Sequence, residues 1–295
     1  MKIAVEISGH LRTFETCAPL MRTYLLDRYD CDVFIHSWDK LDHNNATWHG
    51  AGGMPGQTTR QEVTDAIKQR VVELYRPRSI TYGSEAQIKK IDGFLIQPRT
   101  GFGGFTLQAV WNTLHTEVEA HRLARKYATD NKQHYDFVIR TRPDIGLLEP
   151  FHLDPYRLFF DIFEKAVIFF PTWAYHQGFF EPAGFPPAAK NFALLSAGAL
   201  DVFYLTSMAA MDSLMEVLQD FDLFYRQIPA QLSKDFEPML SVELLFYWYA
   251  QKKGLVPQLG KINRIIKRFD AAHDSIALHK DRADNSRQHF APKAG

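Results

Sequence analysis

Apolar and polar positions alternate along this chain in two distinct periods, and the period switches repeatedly. Lys2 to Ser8 is a short apolar run with only Glu6 interrupting it, which predicts a strand. Phe14, Cys17, Leu20, Met21 and Tyr24 then recur at helical spacing, predicting a helix that starts at Thr13 or Glu15 and reaches about Leu26. A second strand is expected over Asp32 to His36. After it, Leu41 to Thr58 has no period and many breakers, and reads as a long loop. Thr59 to Tyr75 predicts an amphipathic helix, Ser79 to Tyr82 a strand, and Gly101 to Gly104 a turn. Val110, Leu114, Val118 and Leu123 mark the apolar face of a long helix from about Thr106 to Thr129. Strands follow at Phe137 to Ile139, Ala166 to Phe170 and Asp201 to Leu205. Helices follow at Ser207 to Leu218 and Ser241 to Lys253, and a last strand at Leu255 to Gln258. Strands separated by helices predict an α/β fold with a mostly parallel sheet flanked by helices.

The 295 residues are enough for one large domain or two small ones, with a substantial core. Lys+Arg and Asp+Glu balance at 34 each, so no global field recruits nucleic acid. Cys17 and Cys31 make no disulfide framework and suit a reducing compartment. The first apolar run is too short for a signal peptide, and no run approaches the roughly 18 residues of a membrane span. The expected location is therefore the cytoplasm. From Lys261 onward apolar content falls and basic residues outnumber acidic ones eight to four, which predicts a tail, part helical and part mobile. The excess of cations would give that tail peripheral contact with an inner-membrane surface.

Chemistry concentrates where predicted strands end, because parallel sheets bind ligands beyond the carboxyl ends of their strands. The third predicted helix leads into a strand that empties into Arg140, Thr141, Arg142, Pro143 and Asp144. Two permanent cations with bidentate geometry suit a phosphorylated ligand, while an ordinary surface Arg–Asp pair is the alternative. Ser8, Gly9, His10 and Arg12 follow the first strand, where glycine permits close approach of the backbone to a ligand. His36 and Asp39 follow the second. Gln108 and Asn112 lie one helical turn apart and share a face that could read a nucleobase or simply meet solvent. Trp173, Tyr175, His176, Phe179 and Phe180 occupy a Pro-rich loop, either as a sugar-stacking surface or as that loop's own core. Zinc-protease, Cys-x-x-Cys, nucleophile-elbow and Walker signatures do not occur.

Four segments in order, IAVEISGHLRTF at 3–14, CDVFIHSWD at 31–39, YDFVIRTRPDI at 135–145 and ALDVFYLTSMAAMDSL at 199–214, resemble the motifs of bacterial GT-A-like glycosyltransferases of capsule and lipopolysaccharide biosynthesis. The resemblance covers about residues 1–260, leaving 261–295 as the tail. It implies a Rossmann-like nucleotide-sugar domain and a hexosyltransferase-type enzyme. Its donor would be a nucleotide-diphosphate sugar, and its acceptor a glycan or lipid-linked glycan. It also implies a metal role for Asp144, a donor or acceptor contact with a catalytic role for Asp201, and a general-base role for Glu243. The chain departs from the family where an Asp-x-Asp is expected, because the strand ends Arg-Thr-Arg-Pro-Asp. Asp30-Cys31-Asp32 and Asp220-Phe221-Asp222 read as solvated surface carboxylates at the wrong places. A Mn²⁺ or Mg²⁺ ion at Asp144, or Arg140 and Arg142 acting without a metal, are both consistent with this pattern. Replacing either arginine is expected to weaken diphosphate binding and leave the fold intact. Two other classes remain open: phosphoryl or sulfuryl transfer onto the same glycans, and a non-catalytic nucleotide or glycan binder of an assembly complex.

Overall fold

A computed structural model describes residues 1–42, 61–96, 105–163, 166–171, 203–227, 242–260 and 266–268. Strand β1 (Lys2–Gly9) leads to helix α1 (Phe14–Met21), which widens into a π-helical turn at Arg22–Leu26. Next come β2 (Asp30–Trp38), α2 (Asp65–Tyr75), β3 (Ser79–Gly83), a small antiparallel pair β4 (Phe94–Ile96) and β5 (Phe105–Thr106), and the long α3 (Leu107–Asp130). The chain continues through β6 (Phe137–Thr141), β7 (Ile145–Leu147), α4 (Asp154–Ile162), β8 (Val167–Pro171), β9 (Phe203–Thr206), α5 (Met208–Leu214), α6 (Val242–Lys252), β10 (Val256–Gly260) and β11 (Ile266–Arg268).

Seven strands form one sheet in the order β10-β8-β9-β6-β1-β2-β3. β3, β2, β1 and β6 are mutually parallel, β10 is parallel to β8, and β9 runs antiparallel to both β6 and β8. Six strands therefore point one way and β9 the other. The α/β class and mostly parallel sheet expected from the sequence are observed; the reversed strand is an addition to them.

Residues of opposite parity feed two cores, as strand geometry requires. Ala4, Phe34, Val138 and Tyr204 pack on one face with Val110, Leu114 and Val118 of α3. Ile3, Val5, Ile7, Ile35, Phe137, Ile139 and Leu205 pack on the other with α1, Val71 of α2 and Phe160 of α4. Side-chain caps start α3, α2 and α5: Thr106 Oγ1 accepts from Ala109 N at 3.1 Å, Thr64 Oγ1 from Ile67 N at 3.4 Å and Ser207 Oγ from Ala210 N at 3.2 Å.

Three sequence expectations change. The helix expected from Thr59 begins at Asp65, where Thr64 supplies the cap. Asp32 is not a solvated carboxylate. It is buried at the amino-terminal end of β2, paired with Lys2 at 2.9 Å and accepting bonds from Arg78 Nε at 2.6 Å and the Tyr135 hydroxyl at 3.0 Å. It ties three strand starts together, and its partners lower its pKa although burial alone would raise it. Asp220, half-buried, accepts from the Tyr249 hydroxyl at 2.9 Å, whereas Asp30 and Asp222 are exposed as expected. The third change is in the tail, where Ile266–Arg268 forms a strand antiparallel to β7. Among the described residues no helix is long and apolar enough to cross a membrane.

Candidate functional site

The chain steps from β1 to β2 to β3 in one direction and later places β6 on the other side of β1. The carboxyl ends of β1 and β6 are thus neighbours, on the sheet edge where parallel strands present ligand sites, and the connections leaving them, to α1 and to β7 and α4, pack on the same face. Residues 9–12 leave β1 there, and 142–144 leave β6 there.

These two segments are bonded to one another. Asp144, fully buried, accepts from Arg142 Nε at 2.9 Å and Arg142 Nη2 at 2.7 Å, a bidentate fork, and from Arg12 Nη1 at 2.7 Å. Arg12 Nε donates to Asp42 at 2.7 Å. The Arg12 backbone is left-handed, with φ 44°, and its N–H donates to Leu41 O at 2.9 Å. Such a conformation in a non-glycine residue is costly and persists where the surroundings hold it, which is common at ligand sites. Gly9 has φ 109° with open space where a Cβ would stand, so backbone conformation rather than crowding requires glycine there.

Asp144 as placed does not fit an open metal ligand. Both of its oxygens already accept from guanidinium groups, and among the described residues no cluster of three His, Cys, Asp or Glu could hold an ion. A divalent ion about 5 Å from each arginine would be repelled by roughly 6–7 kcal/mol per guanidinium at an effective dielectric near 20.

Arg140 corrects the expectation of an exposed, ligand-facing pair. It is the penultimate residue of β6, lies under α3 and is 1% exposed. Its Nη2 meets Glu117 Oε1 of α3 at 2.5 Å, its Nε donates to Ser8 Oγ at 3.2 Å, and its guanidinium lies 5.1 Å from the Tyr204 ring centre. Arg142 stands beyond the last strand residue, with its side chain 14% exposed. Ser8 is likewise buried and holds Arg140.

The histidines at this edge are held neutral. His10 Nδ1 donates to Lys40 O at 3.1 Å, and burial lowers its pKa despite Glu85 nearby at 3.6 Å. His36 hydrogen-bonds Thr81 Oγ1 at 2.8 Å, and burial, then His115, pushes it down to about 4. His115 of α3 stacks on Trp38 with ring centres 6.0 Å apart, so His10, His36, Trp38 and His115 form one aromatic group. The permanent cations that meet on Asp144 are Arg12, from the turn after β1, and Arg142, from the turn after β6.

Gln108 and Asn112 do share a helix face, but Gln108 Nε2 donates to Asn112 Oδ1 at 2.8 Å and Gln108 Oε1 accepts from Ile91 N at 2.8 Å. The pair braces the segment before β4. Glu243 is in α6, with its backbone alone described. Asp201 and the aromatic loop Trp173, Tyr175, His176, Phe179 and Phe180 lie outside the described residues, as does most of the loop expected at Leu41 to Thr58.

Sequence reasoning missed a buried ionic relay beneath the site. His121 of α3 bonds Glu6 of β1 through Nδ1 at 2.9 Å and Asp212 of α5 through Nε2 at 2.8 Å. Burial alone would lower the His121 pKa; Glu6 and Asp212 outweigh it and raise it to about 9. The lone acidic residue in an otherwise apolar central strand was the available signal.

No family model matches this chain, and no curated protein matches it. Among solved structures it is similar to mouse xyloside xylosyltransferase 1 in its apo form, at 11% identity and a TM-score of 0.35, over 89% of this chain and 78% of that one. At that level the likeness carries no argument, and the fold assignment rests on the strand order above.

Proposed function

We propose that this chain is a glycosyltransferase of GT-A-like architecture that takes its sugar from a nucleotide-diphosphate donor bound at the carboxyl ends of β1 and β6. The observation that carries the proposal is the meeting there of Arg12 and Arg142 on Asp144, from segments about 130 residues apart. Two guanidinium groups at a strand edge match the charge and the planar geometry of phosphate oxygens. In the transfer, an acceptor hydroxyl attacks the anomeric carbon. The bond from that carbon to the diphosphate oxygen breaks, and its electron pair leaves with the diphosphate. Arg12 and Arg142 stabilise the charge that develops on that oxygen. The hydroxyl proton passes to a carboxylate, for which Glu243 and then Asp201 are the candidates. The proposal extends to a hexose donor and to a capsule, lipopolysaccharide or lipid-linked glycan acceptor. It places the reaction at the cytoplasmic face of the membrane, with the basic tail in peripheral contact.

The buried state of Asp144 also suits a protein that binds nucleotide without turning it over. Incubation with a panel of UDP-, GDP- and CDP-sugars separates the two. Release of nucleoside diphosphate, accelerated by glycan acceptor, is the expected outcome. Tight binding with no release would assign the chain to the binders. Transfer of a phosphoryl or sulfuryl group in place of sugar would assign it to the other transferases.

A further inference from the structure

We infer that the turns after β1 and β6 grip a diphosphate directly, through a two-guanidinium clamp organised on Asp144, with no divalent ion in between. The ligand's identity rests on the proposed function; the mode of binding rests on geometry. A divalent cation needs carboxylate oxygens at about 2.0–2.6 Å. At Asp144 the Oδ1 accepts from Arg142, and the Oδ2 accepts from both Arg142 and Arg12. An ion there would have to displace a guanidinium from a fully buried carboxylate and then sit among cations.

The clamp is built before the ligand arrives. Asp144 fixes the Arg142 fork and one Nη of Arg12, Asp42 fixes the Nε edge of Arg12, and the left-handed turn at Arg12 is held through Leu41. Both side chains are partly exposed, 15% for Arg12 and 14% for Arg142. His10 and His36, held neutral, add no competing charge. Asp144 is thus a positioning residue, and it makes a counter-intuitive variant informative. Removing a negative charge beside an anion site strengthens anion binding on charge alone. If Asp144 works by orienting the arginines, Asp144→Asn weakens it.

The test is calorimetric titration of the full chain with UDP, GDP, CDP and pyrophosphate, first in EDTA and then with excess Mn²⁺ or Mg²⁺. Affinity for the best ligand is expected to agree between the two conditions within about twofold. Arg12→Ala and Arg142→Ala should each weaken it about ten- to a hundredfold, the usual range for a lost charge-assisted bond. Arg142→Lys should lose part of that, because an ammonium cannot make the fork. Asp144→Asn should weaken binding. If its melting temperature shows that it does not fold, Arg142→Lys carries the test of geometry alone. Binding that needs metal, arginine variants that bind as wild type, or no diphosphate binding at all would each overturn the inference. Sugar transfer with a strict metal requirement would sink the clamp and leave the transferase; metal-free diphosphate binding without sugar turnover would do the reverse.

Discussion

Arg140 and Arg142 stand two positions apart in the chain and in different environments of the fold. The sequence presents them as an equivalent pair, because a strand's end cannot be read to within two residues from an apolar run. The sheet buries Arg140 against Glu117, with both side chains 1% exposed, and leaves Arg142 in the turn. Their substitutions therefore do different things. Arg140→Ala should destabilise the fold by about 3–5 kcal/mol, since it leaves a buried carboxylate uncompensated. The Arg140→Met/Glu117→Leu double variant should recover much of that loss. Urea denaturation checks both; an Arg140→Ala protein as stable as wild type would contradict the buried-pair account. Glu243 remains legible only as an acidic residue on a late helix. If it is the base, Glu243→Gln should lower turnover by about 100-fold with donor affinity unchanged. Near-normal turnover would pass the role to Asp201.

Elements were legible where their pattern was long. β1, β2 and β6 lie buried on both faces and show as continuous apolar runs, and α3 shows a clear helical period over 24 residues. The three-residue strands β7 and β11 carry no period, and α4, nine residues with a proline in its first turn, was too short to show one. What joins the elements was less visible still. His121 connects α3 to β1 and α5, and its folded pKa is raised to about 9 from an ordinary 6.5. Its stabilisation is fully present below 6.5 and is lost as pH rises through 9, up to about 3 kcal/mol. His36 on β2 acts in the opposite sense. Its folded pKa of about 4 means that stability falls as pH drops from 6.5 toward 4. Urea stability should therefore peak near pH 6.5. The charged groups bonded to His121 are Glu6 and Asp212, with Arg125 paired to Asp212 at 3.0 Å, and arginines and carboxylates do not ordinarily change charge between pH 7 and 9. His121→Gln should lower stability at neutral pH and flatten the slope across that interval. An unchanged alkaline slope would remove the relay from the account.

At the scale of the whole molecule, the alternation of strands and helices revealed the class but not the order. The reversed strand β9 and the placement of β6 beside β1 depend on pairings between distant segments, for which a single sequence holds no local signal. The carboxyl ends of β1 and β6 become neighbours only once that order is set, and with them Arg12 and Asp144. This also explains why Ser8, Gly9, Arg12, Arg142 and Asp144 were each visible as candidates, while their arrangement was not. A metal role for Asp144 followed from its position after a strand; the three bonds that occupy it come from the fold. On this reading the turns after β1 and β6 hold the ligand. Hydrogen–deuterium exchange with and without saturating nucleoside diphosphate tests it most directly. The account predicts new protection concentrated in residues 9–14 and 141–147. Protection confined to the amino-terminal edge around Asp32 and Arg78, or none in either segment, would contradict it.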